Sequence, residues 1–222
     1  MTTADQATPT VFTDRAAAGE WLARSLTGYG ANVVVFGLAR GGVEVAAVLA
    51  RTLRCPLGVL SVRKLARPSA PEFAVGALVA DGTTLTDPAA TAHVPRAQWD
   101  AVVAFEREEA ERRAELYEQY AATPDVHDRS VIVADDGIAT GYTMAAACQS
   151  LRRRGAAMIT AAAPVAAADA VAYLQNFADT VVTVTPPELF RGAVGAHYRE
   201  FPQRTDSTVI ELLKMYGTPA PR

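Results

Sequence analysis

Cysteine is nearly absent from this chain. Cys55 and Cys148 are the whole complement, far apart and outside any Cys-x-x-Cys spacing. That excludes a disulfide-stapled scaffold, a thiolate zinc site and a dithiol redox motif, and leaves both thiols as small core residues in a reducing compartment. Long hydrophobic runs are missing too. The longest weakly polar stretch, 156–173, is interrupted by Pro164 and Asp169 and reads as strand, turn and helix, not as a membrane span. No excess of basic charge exists: 21 Lys and Arg face 24 Asp and Glu, a net charge of −3, so nothing advertises a nucleic-acid partner. The first ten residues are polar and lack a basic-then-apolar leader pattern, so the expected location is cytoplasmic and the expected state of this lead is unstructured. What remains is ample hydrophobicity: 50% of 222 residues are apolar, enough for one domain with a sizeable core.

The most informative stretch is 131–144. Val131, Ile132, Val133 and Ala134 form a short buried strand, then come the adjacent carboxylates Asp135 and Asp136. A tight turn follows (Gly137, Ile138, Ala139, Thr140, Gly141), and a helix is expected over 142–154, with Gly155 placed to end it. A loop opening into a helix N-terminus offers free backbone N–H groups and positive partial charge, which suit a phosphate. Thr140 and Thr143 add hydroxyl donors. Ionised aspartates only accept hydrogen bonds, so beside a phosphate they suit vicinal sugar hydroxyls, or a metal carried by the ligand. Together these requirements describe a ribose 5-phosphate.

A second unit of the same form lies upstream. A strand over 32–36 runs into Gly37-Leu-Ala-Arg-Gly-Gly42 and a helix over 43–53. Arg40 in that glycine-rich turn can reach a pyrophosphate with bidentate geometry. The next strand, 56–63, ends in Arg63 and Lys64, two cations at the edge where open α/β sheets bind ligands. Strand alternation predicts that only one of them, preferably Lys64, points inward. No Gly-x-Gly-x-x-Gly follows either strand, which argues against a dinucleotide fold.

These residues resemble the type I phosphoribosyltransferases, which bind 5-phosphoribosyl 1-pyrophosphate (PRPP). The 131–143 segment is similar to that family's signature, with Tyr142 standing where a small residue is usual. Gly37-Leu-Ala-Arg-Gly-Gly-Val, Val62-Arg-Lys-Leu, Glu72-Phe-Ala-Val-Gly-Ala and Ala193-Val-Gly-Ala-His-Tyr extend the likeness to a bacterial group whose acceptor is unassigned. The resemblance implies that Asp135 and Asp136 hold the ribose hydroxyls. It implies that Gly137, Ile138, Ala139, Thr140, Gly141, Tyr142 and Thr143 wrap the 5′-phosphate. It implies that Ala39, Arg40, Gly41, Gly42, Arg63 and Lys64 surround the pyrophosphate, with a cis peptide at Ala39–Arg40. The function implied is Mg²⁺-dependent transfer of phosphoribosyl from PRPP to a nitrogenous acceptor, Mg²⁺ arriving on PRPP near Asp135 and Asp136. A PRPP sensor without catalysis, or a phosphate-ester hydrolase using the same pocket, are the alternatives.

Strand–helix alternation predicts an α/β fold with a mostly parallel twisted sheet flanked by helices. The core spans about 30–185, with an insert over about 65–122. The insert contains a hairpin turning at Asp81-Gly82 and a long charged helix, 96–122, with one apolar stripe (Val103, Ala110, Ala114, Tyr117, Ala121) and a solvated face of helix-stabilising ion pairs; a homodimer contact is the alternative. In the family a mobile loop here closes over PRPP, and Arg67 or Glu72 are placed to join it. His93 reads as an exposed loop residue. The tail, 186–222, with part of the N-terminus, is expected to form a hood receiving the acceptor. Phe190, His197 and Tyr198 are the candidate contacts, Phe201 a further stacking ring, and Asp206 the cap of a last helix over 207–216.

Overall fold

A computed structural model describes residues 8–29 and 32–218. Most of the polar lead, 1–7, lies outside the described residues, as do Gly30, Ala31 and 219–222. Helix α1 (Arg15–Ser25) starts where the Asp14 carboxylate accepts from the Ala17 amide and caps it. Five strands then build one sheet: β1 (Val33–Leu38), β2 (Leu57–Leu60), β6 (Ser130–Ala134), β7 (Met158–Ala163) and β8 (Thr180–Thr183). The order is β2-β1-β6-β7-β8 and every pairing is parallel. All six residues of β1 are buried, as a sheet covered on both faces requires. The covering helices are α1, α2 (Gly42–Leu53), α5 (Tyr142–Arg153), α6 (Ala168–Leu174) and α7 (Asp206–Tyr216).

Strand order reverses between β1 and β6, the place where open α/β sheets bind ligands. Register fixes this locally. Gly37 pairs with Ala134, so the loops leaving β1 and β6 begin side by side at one sheet edge.

The insert departs from the expected outline. The apolar run 56–63 is not one strand: it breaks at buried Ser61 into β2 and β3 (Val62–Arg67). Strand β3 pairs antiparallel with β4 (Ala70–Val79), which pairs with β5 (Thr84–Thr86) across Asp81-Gly82. Gly82 at φ 89° supplies the left-handed step of that turn, and the Asp81 carboxylate accepts from the Thr83 amide. Arg63 and Lys64 therefore lie inside a hairpin, opposite Leu78 and Ala77, not at the end of a sheet strand. No punctuating Gly or Pro marks the break at Ser61, so the run reads as continuous.

A short helix α3 (Pro88–Thr91), capped by Asp87, precedes α4 (Arg96–Glu118). On α4 the side chains of Ala110 and Tyr117 are buried within the chain itself. The cap of α7 is Thr205, not Asp206, because Asp206 turns instead to Tyr117 and three arginines. Cys148 is fully buried and Cys55 partly so, and burial pushes their thiols up to about 12 and about 11, so both stay protonated at neutral pH. Among the described residues no helix is long and apolar enough to cross a membrane.

Candidate active site

Four segments meet at the β1/β6 edge. From β6 the chain enters Asp135 and Asp136. The Asp136 amide donates to the Asp135 carboxylate at 2.9 Å, and the Asp135 amide donates to the Ala162 carbonyl. Helix α5 starts after Gly141, whose φ of 83° is the left-handed turn that an L side chain resists. Among the described residues, the amides of Ala139, Thr140, Gly141, Tyr142 and Thr143 find no backbone acceptor, so they stand free at the helix N-terminus. Tyr142 turns its ring away and meets Tyr173 edge-on at 5.4 Å.

The glycine loop between β1 and α2 lies against this pair. The peptide bond Ala39–Arg40 is cis. A side chain at Gly41 would fall on the Asp136 carboxylate oxygen, and one at Gly42 would lie 2.8 Å from an Asp135 carboxylate oxygen. Glycine is required here because two backbones and two carboxylates share the space. Arg40 is one-third exposed and points loosely at Asp206, 3.8 Å away.

The two aspartates are not equivalent. Buried Arg15, from the first turn of α1, donates to Asp136 at 2.6 Å and to the Pro202 carbonyl at 2.9 Å, and its guanidinium covers the Phe201 ring at 3.8 Å. The Tyr198 hydroxyl donates to the Asp136 carbonyl at 2.6 Å. Burial raises both carboxyls above the ordinary range. For Asp135 the Asp136 charge adds to burial, whereas for Asp136 the Arg15 hydrogen bond and charge pull the other way. Asp136 is thus tied into the fold by a buried cation, while among the described residues the Asp135 carboxylate receives only the neighbouring amide.

The aromatic tail behaves otherwise than expected. His197 is fully buried: Nδ1 donates to the Thr10 carbonyl and Nε2 accepts from the Arg191 amide. Phe190 stacks on that imidazole at 5.5 Å. Tyr198 packs between Phe12 and Phe201. His197 is therefore not an acceptor contact, and its ring fastens residue 10 to the tail. The lead is held here as well, since the Thr185 hydroxyl donates to the Pro9 carbonyl. Phe190 and Tyr198 are likewise engaged in packing rather than presented to a ligand.

A cavity of about 660 Å³ opens from Ala39 and Thr143 outward between the β3–β4 hairpin and α4. Arg63 and Lys64 both border it, contrary to the alternation rule, in a strand whose register shifts between Leu65 and Arg67. Arg63 is engaged by Glu106 at 2.6 Å, and Lys64 reaches only the Glu72 carbonyl, at 3.4 Å.

The matching family model, a phosphoribosyl transferase domain, covers residues 12–199. The chain belongs to the phosphoribosyltransferase family. A Mycobacterium tuberculosis protein bearing the name "putative phosphoribosyl transferase" is 42% identical over 206 residues, 91% of this chain. The chain spans about half the length of that curated relative, 46% of it. The crystal structure of TT1426 from Thermus thermophilus is 37% identical, covers 93% of this chain and 99% of that one, and superposes with a TM-score of 0.77. As a phosphoribosyltransferase domain the chain has its signature turn at 135–143 and its glycine loop at 39–42, adjacent at one sheet edge. Sequence reasoning missed Arg15, which sits 121 positions from its partner with no local motif to mark it. It also missed the tail's hold on the glycine loop through Asp206.

For Mg²⁺, the donor chemistry fits a shared ion. Asp135 offers a hard oxygen, and among the described residues no cluster of three or more His, Cys, Asp or Glu forms a cage.

Proposed function

We propose that this domain transfers the 5-phosphoribosyl group of PRPP to a nitrogenous acceptor and releases pyrophosphate. One observation carries the reading. Two loops rich in free or closely approachable backbone flank a carboxylate pair at a single sheet edge. The amides of 139–143 suit the 5′-phosphate. Asp135 and Asp136 suit the ribose hydroxyls. The 39–42 loop, Arg40 and Lys64 suit the pyrophosphate.

In the reaction, the acceptor nitrogen forms a bond to C1 as the C1–O bond breaks. The bonding pair leaves on pyrophosphate, and the acceptor's proton passes to solvent. Positive charge grows on the ring, and a carboxylate beneath the ribose stabilises it. Arg40 and Lys64 receive the growing negative charge on the leaving group. Mg²⁺, held by PRPP with help from Asp135, supplies further charge neutralisation when bound. The rest of the rate comes from holding the two reactants in line.

Pyrophosphate release from PRPP and Mg²⁺, measured against a panel of purines, pyrimidines and small nitrogenous metabolites, tests this. Release that depends on an acceptor is expected, and it is lost in the double variant Asp135→Asn, Asp136→Asn with the fold intact by circular dichroism. Full turnover in that double variant sinks the assignment.

A further inference from the structure

Arg40 sits on the glycine loop but does not face the cavity beside it. The space between the β3–β4 hairpin and α4 is bordered by Ala39, Arg63 and Lys64, all assigned above to the pyrophosphate, and Arg40 does not line it. Ala39 precedes Arg40 directly, so the cavity begins one residue away. The Arg40 guanidinium turns instead to Asp206, the first residue of α7, with Nη1 3.8 Å from Oδ1. At that distance the two form an ion pair without a hydrogen bond.

Asp206 is well supplied without Arg40. The Tyr117 hydroxyl donates to the same Oδ1 at 2.8 Å, and Arg112 donates to Oδ2 at 3.4 Å. Arg113 lies 3.9 Å from Oδ1. Both of these arginines belong to α4 and are also paired with Glu109. Taking Arg40 out of the group therefore strands no charge. With side chains 33% and 24% exposed, the Arg40–Asp206 attraction is that of a part-exposed pair, worth a few-fold in an equilibrium. Pyrophosphate offers Arg40 paired charged oxygens, and a bidentate charge-assisted contact to them is stronger.

We infer that Asp206 is a positioning residue for Arg40: it holds the guanidinium outside the cavity, yields it to pyrophosphate, and competes for it as pyrophosphate leaves. This rests on the PRPP-dependent reading of the adjacent loops. The competition weakens pyrophosphate binding a few-fold and so favours its release. Tyr117 sets the strength of the hold, because its hydroxyl occupies the Asp206 oxygen nearest Arg40.

Calorimetry on the full chain, with pyrophosphate and Mg²⁺ as the probe, tests it. Asp206→Asn removes the charge and keeps an oxygen for the Tyr117 hydroxyl, and the helix cap is Thr205, which stays. This variant binds pyrophosphate about two- to fivefold tighter than wild type. A merely structural aspartate gives the opposite sign, since damage to the loop weakens binding. Tyr117→Phe frees the oxygen for Arg40, and pyrophosphate binds about twofold weaker; this variant carries the test if Asp206→Asn does not fold. Two controls separate competition from the loss of a nearby negative charge. Glu109→Gln removes a carboxylate of the same cluster that has no ion pair with Arg40 among the described residues, and leaves affinity within about 1.5-fold of wild type. In an Arg40→Met background, Asp206→Asn no longer tightens binding. Unchanged or weaker binding to Asp206→Asn overturns the inference, as does unweakened binding to Tyr117→Phe. Equal tightening in Glu109→Gln, or tightening that survives Arg40→Met, overturns it too. If pyrophosphate and PRPP both fail to bind the wild-type protein, the underlying reading of the loops fails, and the inference with it.

Discussion

Replacing Arg15 with Met tests whether α1 holds the second carboxylate of the pair, Asp136, in place. Methionine retains an unbranched stem of similar reach and removes the charge. Three contacts go with it: the 2.6 Å bond to Asp136, the 2.9 Å bond to the Pro202 carbonyl, and the cover over Phe201 at 3.8 Å. The Arg15 side chain is only 4% exposed and that of Asp136 15%, so solvent does little to screen the pair. Breaking a buried pair from one side costs about 3–5 kcal/mol, because the other charge is stranded. Asp136 keeps some solvent contact, which places the cost near the low end, about 3 kcal/mol. For a chain of this size that is a fall in melting temperature of about 6–12 °C. Arg15 also holds Asp136 below where burial alone would set it. Without Arg15 the carboxyl is lifted further, and the folded state takes up a proton at higher pH than the unfolded chain. The deficit of Arg15→Met is therefore smaller at pH 5 than at pH 7, because more of Asp136 is protonated at the lower pH. Adding Asp136→Asn removes the stranded charge, so the double variant is more stable than the sum of the singles by about 1 kcal/mol or more. Urea melts at both pH values read all of this. A single-variant loss under about 0.5 kcal/mol, equal at pH 7 and pH 5, shows that the pair does not organise the site.

Other substitutions probe separate links. Asp135→Asn keeps an acceptor for the Asp136 amide but removes a carboxylate that burial and Asp136 have made reluctant to ionise. At pH 7 it raises substrate-free stability while PRPP binding falls; the gain fades as pH drops toward the unfolded carboxyl value, since the wild-type group is then protonated too. Equal or lower stability in the variant at pH 7 contradicts the assigned raise. Gly41→Ala has an ordinary helical φ of −62° and so no backbone objection, yet its methyl meets the Asp136 carboxylate. PRPP affinity should drop at least about tenfold with a stability loss of about 1–3 kcal/mol, and unchanged affinity by calorimetry rejects the close approach. Ser150→Ala removes the hydroxyl that donates to Asp81 and lowers that carboxyl, a bond joining α5 to the hairpin turn. A loss of about 1–2 kcal/mol in chemical denaturation is expected, and none at all means the turn is held by its own Thr83 amide.

What was legible in the sequence is what depends on near neighbours. The 131–144 stretch shows strand, carboxylates, turn and helix because each follows from residues within a few positions. The Asp81-Gly82 hairpin is likewise a local signal, supplied by one left-handed glycine and one aspartate. What failed depended on distant partners. Ser61 ends one sheet and begins another with no breaker residue, because the switch is enforced by β4 pairing back onto β3. Asp206 looks like a cap by position, but Tyr117 and the arginines of α4 claim its carboxylate. His197 looks like a ligand-facing group because buried and exposed imidazoles are indistinguishable in one sequence.

The site's asymmetry follows from the same distinction. The two loops proposed to face PRPP are written locally, and glycines let them approach each other. The charge balance between them comes from elsewhere. Arg15 reaches Asp136 from α1, Tyr198 reaches its carbonyl from the tail, and Asp206 faces Arg40 from α7. Each contact comes from a segment outside the two loops and falls on the Asp136 or Arg40 side, so Asp136 is the carboxylate held by a buried cation, while Asp135 receives only the Asp136 amide. The chain's ends therefore act as a brace that decides which of two adjacent aspartates is structural support and which is available to ligand. On this argument Asp135→Asn costs more in PRPP binding than in folding, whereas Asp136→Asn costs both, and a reversed ranking in paired calorimetry and urea melts refutes the division.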